Sequence, residues 1–150
     1  MQAQMLAPAA VLVLWSLIML MWMAGTRFPA MTKAGMDIKT APPGGRGQDL
    51  ESVLDPKTNW KSHNYAHLME QPTLFYATVV ILAVMGAGAI DVLLAWAYVV
   101  IRIVHSIWQA TVNKLPVRFT LFLVSTIFLL VLAARAVLAT LLHDPATITG

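Results

Sequence analysis

The sequence predicts an all-α integral membrane four-helix bundle, and three observations carry that reading. Of 150 residues, 59% are hydrophobic and only 11% are charged, whereas a soluble domain is nearer a quarter charged. The mean hydropathy is +0.72. Four apolar stretches each approach or exceed the ~20 helical residues needed to cross the hydrocarbon core of a bilayer. The length suits one four-span domain over residues 1–150, and a membrane bundle needs no water-driven core. The chain has no cysteine. This excludes a disulfide framework, a thiolate metal site and a cysteine nucleophile. Any thiol chemistry must use a thiol from outside the chain.

The first span covers about 5–28 and is uncharged until Arg27. No lysine or arginine precedes it and its apolar run is too long for a secretory signal peptide, so it is read as a span. A long connection follows, about 29–62. It contains Pro42-Pro43-Gly44-Gly45-Arg46-Gly47, a cluster of helix breakers. Structureless connections of such length are usually functional or disordered. The second span covers about 63–87 and the third about 91–112, with Gly86, Gly88 and Asp91 marking a tight turn between them. The fourth covers about 117–142, after a turn at Asn113 to Pro116. There is no internal repeat.

Basic residues set the orientation. Lys33, Lys39, Arg46, Lys57 and Lys61 lie in the first loop with Arg27 at its edge, and Lys114 and Arg118 lie at the third. The N-terminal segment, the second loop and the tail carry none. Four spans put loops one and three on the same side, so both are expected in the cytoplasm of a bacterial-type inner membrane, with both termini outside. Trp60 and Trp108 then fall at the cytoplasmic interface. No arginine-rich run or aromatic platform points to a nucleic-acid partner.

Two spans carry polar stripes. Asp91, Ala95, Tyr98, Arg102, His105 and Gln109 recur at steps of three or four and share one helical face. His63, His67, Glu70 and Leu74 do the same in the span before. A charge at mid-bilayer costs roughly 2.5–3.5 kcal/mol on the lenient insertion scale, so such residues usually face a bundle interior and mark a site. By helix rise Glu70 and Arg102 lie about 14 and about 18 Å from the cytoplasmic loops, which predicts a Glu70–Arg102 pair. Three readings of the stripes stay open. The pair fixes helix register alone; it belongs to the site of a membrane enzyme or binding protein; or His63, His67 and Glu70, with His105, hold a cation. Against the last, Arg102 repels a cation and the paired Glu-x-x-His motif of bundle metal sites is missing, so no metal is expected. Arg135 is read as structural, snorkelling or pairing with Asp91.

The segments His67-Leu68-Met69-Glu70-Gln71-Pro72-Thr73-Leu74-Phe75 and Ala95-Trp96-Ala97-Tyr98-Val99-Val100-Ile101-Arg102-Ile103-Val104-His105-Ser106 resemble the second- and third-helix signatures of the MAPEG family, the membrane-associated proteins of eicosanoid and glutathione metabolism. Asn113 and Arg118 follow as in that family, and the likeness covers nearly the whole chain. A lone Glu-x-Pro is a weak signal. Arg-x-x-His placed sixteen residues before a fourth-helix arginine is more specific. The resemblance implies a homotrimer of four-helix protomers in the bilayer, with glutathione as co-substrate bound between subunits and a lipophilic small molecule as the second substrate. By position it assigns Glu70, Arg102 and His105 to glutathione binding and Arg118 to thiol activation. Arg27 aligns loosely with a first-helix arginine of the same site. The chain departs from the pattern at His67, where asparagine is common, and at Gln109, where several members have tyrosine; both fall among the binding positions.

Physical chemistry is consistent with this assignment. Glutathione carries two carboxylates, which suit arginine forks, and an ammonium, which suits Glu70. Arg118 stands at the N-terminal end of span four, where helix dipole and guanidinium both favour a thiolate. Arg118 as an anchor for lipid phosphate is the competing reading. Two functions are therefore expected: a glutathione-dependent transferase or peroxidase for lipophilic electrophiles, favoured by Arg118, or a non-catalytic binder of a lipid or anionic small molecule, favoured by Gln109.

Overall fold

The computed structural model describes residues 1–142. The tail from 143 on, including the terminus at Gly150 expected outside the cytoplasm, lies beyond the described residues. All regular structure within them is helical: α1 (Gln2–Lys33), α2 (Pro56–Leu68), α3 (Pro72–Met85), α4 (Ala89–Thr111) and α5 (Leu115–Leu141), with two 3-10 turns at Ile38–Thr40 and Gly47–Leu50. Four segments are long and apolar enough to cross a membrane: α1, the stacked pair α2–α3 (Pro56–Met85), α4 and α5. The predicted class, an all-α membrane four-helix bundle, is the observed one.

The helices run past the expected span ends. The 32 residues of α1 extend about 48 Å at the standard rise, well beyond a ~30 Å hydrocarbon core. The helix is therefore longer than the core is thick. α2 begins at Pro56, seven residues before the expected start of span two. Asp55 caps it, accepting from the Thr58 amide at 3.1 Å and the Thr58 hydroxyl at 2.6 Å. These bonds hold the Asp55 carboxyl below its usual range. Pro56 occupies the first helical position, where its missing N–H costs nothing.

Span two is not one continuous helix. Met69, Glu70 and Gln71 interrupt it. Pro72 has no N–H to offer Leu68, and its ring crowds the carbonyl of that residue. The Glu70 carbonyl is taken instead by the Thr73 amide at 3.2 Å and hydroxyl at 2.7 Å. Residues after the break leave the register of those before it. Leu74, expected on the His67 face, is 63% exposed.

The loop at 34–55 is built rather than structureless. Arg27 donates to the Gly47 carbonyl at 2.8 Å. Asn59 donates to the carbonyls of Glu51 and Leu54 at 2.9 and 3.2 Å. Glu51 pairs with His63 at 2.7 Å. A Cβ at Gly47 would meet an Arg27 nitrogen at 2.8 Å, so a side chain there would displace the end of the Arg27 guanidinium.

The core lies between the helices, where Leu12, Phe75, Val79, Tyr98, Val99 and Leu132 are fully buried. Phe75 and Tyr98 stack with centroids 4.4 Å apart. The outer faces are apolar too. Only 22% of the most apolar window of α5 is buried, and Leu130 is 67% exposed. Such a surface is solvated by hydrocarbon or by another helix, not by water. At the α3–α4 turn, Gly86 adopts φ 91°, which glycine takes without strain. Asp91 caps α4 through the Gly88 amide at 2.8 Å. It also pairs with Arg135 of α5 through two bonds, Nε to Oδ1 and Nη2 to Oδ2. The structural reading of Arg135 is thus the observed one.

Candidate functional site

The third-span stripe forms one buried face of α4. Asp91, Ala95, Tyr98, Arg102, His105 and Gln109 are all buried, as their spacing requires. Arg102 lies at its middle, fully enclosed. Its guanidinium carbon is 5.9 Å from the Tyr98 ring centroid and 5.8 Å from that of Phe122. Nη1 lies 3.5 Å from His67 Nε2. Nε and Nη2 have no partner among the described residues.

The direct Glu70–Arg102 pair is absent. The break after Leu68 turns the Glu70 side chain outward, leaving it 68% exposed. Its Oε2 meets His67 Nδ1 at 3.0 Å instead. The carboxylate therefore reaches the guanidinium only through the imidazole, in the order Glu70, His67, Arg102. Matching depths were necessary for a direct pair, but the kink redirects the shorter side chain.

Arg118 completes the group from the first turn of α5, where no acidic residue accompanies it. Its Nη1 donates to Asn113 Oδ1 at 2.6 Å. Asn113 adopts φ 54° in the α4–α5 turn, a conformation asparagine accepts more readily than most residues. A cleft of about 170 Å³ opens between these elements, lined by His67, His105, Leu115, Arg118, Phe119 and Phe122. The His67 and His105 ring centroids are 5.0 Å apart.

Other expected positions lie apart from this cleft. Arg27 is tied to the loop carbonyl of Gly47. His63 turns to Glu51, so His63, His67 and Glu70 do not converge on one point. Gln109 is buried two turns along α4, with Oε1 unpaired.

Sequence reasoning missed several polar groups. Asn64 is 1% exposed with Oδ1 unpaired; its place three residues before His67 was the available signal. Tyr98 donates to Gln71 Oε1 at 3.3 Å, and Gln71 donates to Thr126 at 2.9 Å. This link ties the kink to α4 and α5. Trp15 of α1 donates to Ser106 at 3.0 Å. No periodicity in one helix reveals such cross-helix partners.

The electrostatics define what the group can hold. Arg102 and Arg118 supply two guanidinium charges, and Glu70 is the acidic residue beside them. A buried guanidinium with unpaired N–H groups is costly until an anion satisfies it. A carboxylate meets that need with two parallel bonds. Arg118, bonded among the described residues to a neutral amide, leaves its charge for a second anionic group.

Two comparisons with known proteins bear on this arrangement. The model of the MAPEG family matches residues 5–138. No curated protein matches the chain.

Proposed function

Because the chain belongs to the MAPEG family, we propose that it is a membrane glutathione-dependent transferase or peroxidase acting on lipophilic electrophiles, with the thiolate stabilised by Arg118. The observation that carries the reading is Arg102, fully buried with Nε and Nη2 unpaired beside the His67–His105–Arg118 cleft. An unpaired buried guanidinium in a bilayer protein is a position kept for an anion. In this reading Arg102 takes a glutathione carboxylate, with His105 and Gln109 along the same face. The exposed Glu70 takes the ammonium and Arg118 faces the sulfur, while Arg27, held by Gly47 apart from the cleft of its own protomer, reaches the site only across a protomer boundary. The apolar electrophile arrives from the bilayer, and the protein positions and ionises the thiol.

The protein assembles as a homotrimer in a bacterial inner membrane, with glutathione between protomers and the basic loops in the cytoplasm. The distribution of lysine and arginine supports that orientation. A reporter active only in the cytoplasm, fused at Gly150, is expected to stay silent; strong signal would reverse the topology.

Gln109 favours a second reading. A buried amide stands where several members of the family have tyrosine, and this suits a non-catalytic protein that binds a lipid or anionic small molecule. Steady-state turnover of an aromatic chloride with glutathione, by purified protein in detergent, separates the two. Turnover above the uncatalysed rate is expected; glutathione binding without turnover would favour the second reading.

A further inference from the structure

We propose that His67, oriented by Glu70, is the base that takes the proton from the bound thiol; this rests on the glutathione-dependent reading above. The need for a base follows from the chemistry of Arg118. A guanidinium stabilises a thiolate, but it is always protonated and has no lone pair to accept a proton. The thiol proton must therefore go to another group.

The cleft beside Arg118 is lined by two side chains able to accept it, His67 and His105. Their surroundings differ. His67 Nδ1 lies 3.0 Å from Glu70 Oε2. An ionised carboxylate only accepts, so Nδ1 carries the hydrogen and Nε2 keeps its lone pair. The ion pairs among the described residues give His105 no such carboxylate. Glu70 thus fixes the tautomer of His67 and stabilises the imidazolium that forms, the role a carboxylate plays behind a catalytic histidine.

The groups that face the His67 ring come from three elements. Glu70 follows it at the kink, Arg102 and His105 face it from α4, and Arg118 faces it across the cleft from α5. The Arg102 Nη1 contact to Nε2, at 3.5 Å, is at the limit of a hydrogen bond. An incoming carboxylate offers Arg102 a far stronger acceptor, which frees the Nε2 lone pair to accept a proton. The same carboxylate offsets the guanidinium charge that would otherwise oppose a protonated ring.

The step is a simple transfer. The S–H bond breaks, the proton goes to His67 Nε2, and the electron pair stays on sulfur as a thiolate beside Arg118. That pair then forms the S–C bond to the electrophile, whose leaving group departs with its own bonding pair. The imidazolium releases its proton to water, and the base is restored.

The test is rapid mixing of the full-length protein in detergent with glutathione, following thiolate ultraviolet absorbance. His67→Ala is expected to slow thiolate formation about 100-fold or more, the usual worth of a positioned base. Rates are compared at saturating glutathione, so that any weaker affinity in the variant does not enter them. Added imidazole should restore the rate in proportion to its concentration, because it enters the space the side chain left; a merely structural role predicts no such rescue. Glu70→Gln should weaken glutathione binding through the lost ammonium contact and, at saturating glutathione, slow the proton transfer roughly tenfold. It carries the test alone if His67→Ala does not fold. Wild-type rates in both variants, or slow rates indifferent to imidazole, overturn the assignment of His67 while leaving the glutathione reading in place. Absence of thiolate in the wild type overturns both.

Discussion

Arg118→Ala is expected to remove most thiol-transfer turnover while leaving the fold and much of the glutathione affinity. The residue lies at the surface end of the site, half-buried in the first turn of α5. Its loss removes one hydrogen bond, to Asn113, from an otherwise intact turn. That bond is worth about 1.5–3 kcal/mol at most as a charge-assisted pair. The catalytic loss is larger. A preorganised donor aimed at developing negative charge is commonly worth about 10²–10³ in rate. The helix N-terminus remains in the variant, but its half-charge is a smaller field than a full guanidinium. Thiolate absorbance on adding glutathione at neutral pH should appear in the wild type and vanish in Arg118→Ala. Arg118→Lys should recover part of it, since lysine keeps the charge but loses the planar fork. Wild-type thiolate in Arg118→Ala would remove the residue from the mechanism and favour its role as an anchor for lipid phosphate.

The α4 stripe was legible because every member lies on one uninterrupted helix. From Asp91 to Gln109 the 3.6 period holds, and all six positions are buried. The partner stripe was legible only to the kink. Pro72 was visible in the sequence, and its effect on the carbonyl four residues earlier is general. Taken into account, it would have ended the helix near Leu68 and freed Glu70 from the His67 face. The start of α2 was also written in the chain, as Asp55-Pro56 with Thr58 behind it, a cap and a first-turn proline. Other features were not written there. The Arg27 bond to Gly47, the Glu51–His63 pair and the Arg118 bond to Asn113 join a helix to a loop or turn whose course no periodicity encodes. The buried charge at Arg102 was readable; its lack of a direct acidic partner was not, because that depends on where a kinked neighbour sends its side chain.

This unpaired state gives Arg102→Met an unusual expected signature: glutathione binding is lost, yet the ligand-free protein is no less stable than the wild type. Two guanidinium nitrogens are buried without partners among the described residues, and each such group costs about 1–3 kcal/mol. Methionine fills a similar volume with no donor to satisfy, and replacing buried charges by apolar residues is often neutral or stabilising by about 1–4 kcal/mol. The lost contacts with Tyr98 and Phe122 oppose that gain, at about 0.5–2 kcal/mol each. The two effects are of similar size, so ligand-free stability should move little or rise. Ligand response should differ sharply. Glutathione at a hundred times its dissociation constant should stabilise the wild type by about 2.7 kcal/mol. If Arg102 receives the carboxylate, the variant should show almost none of that shift. Thermal unfolding in detergent with and without glutathione measures both quantities at once. A variant that loses several kcal/mol without ligand would mean that Arg102 has a counter-charge in the assembled protein and serves as a structural pair. A variant that keeps the glutathione shift would place the carboxylate elsewhere. Only a preserved fold with an abolished ligand response fits a guanidinium held in reserve for an anion.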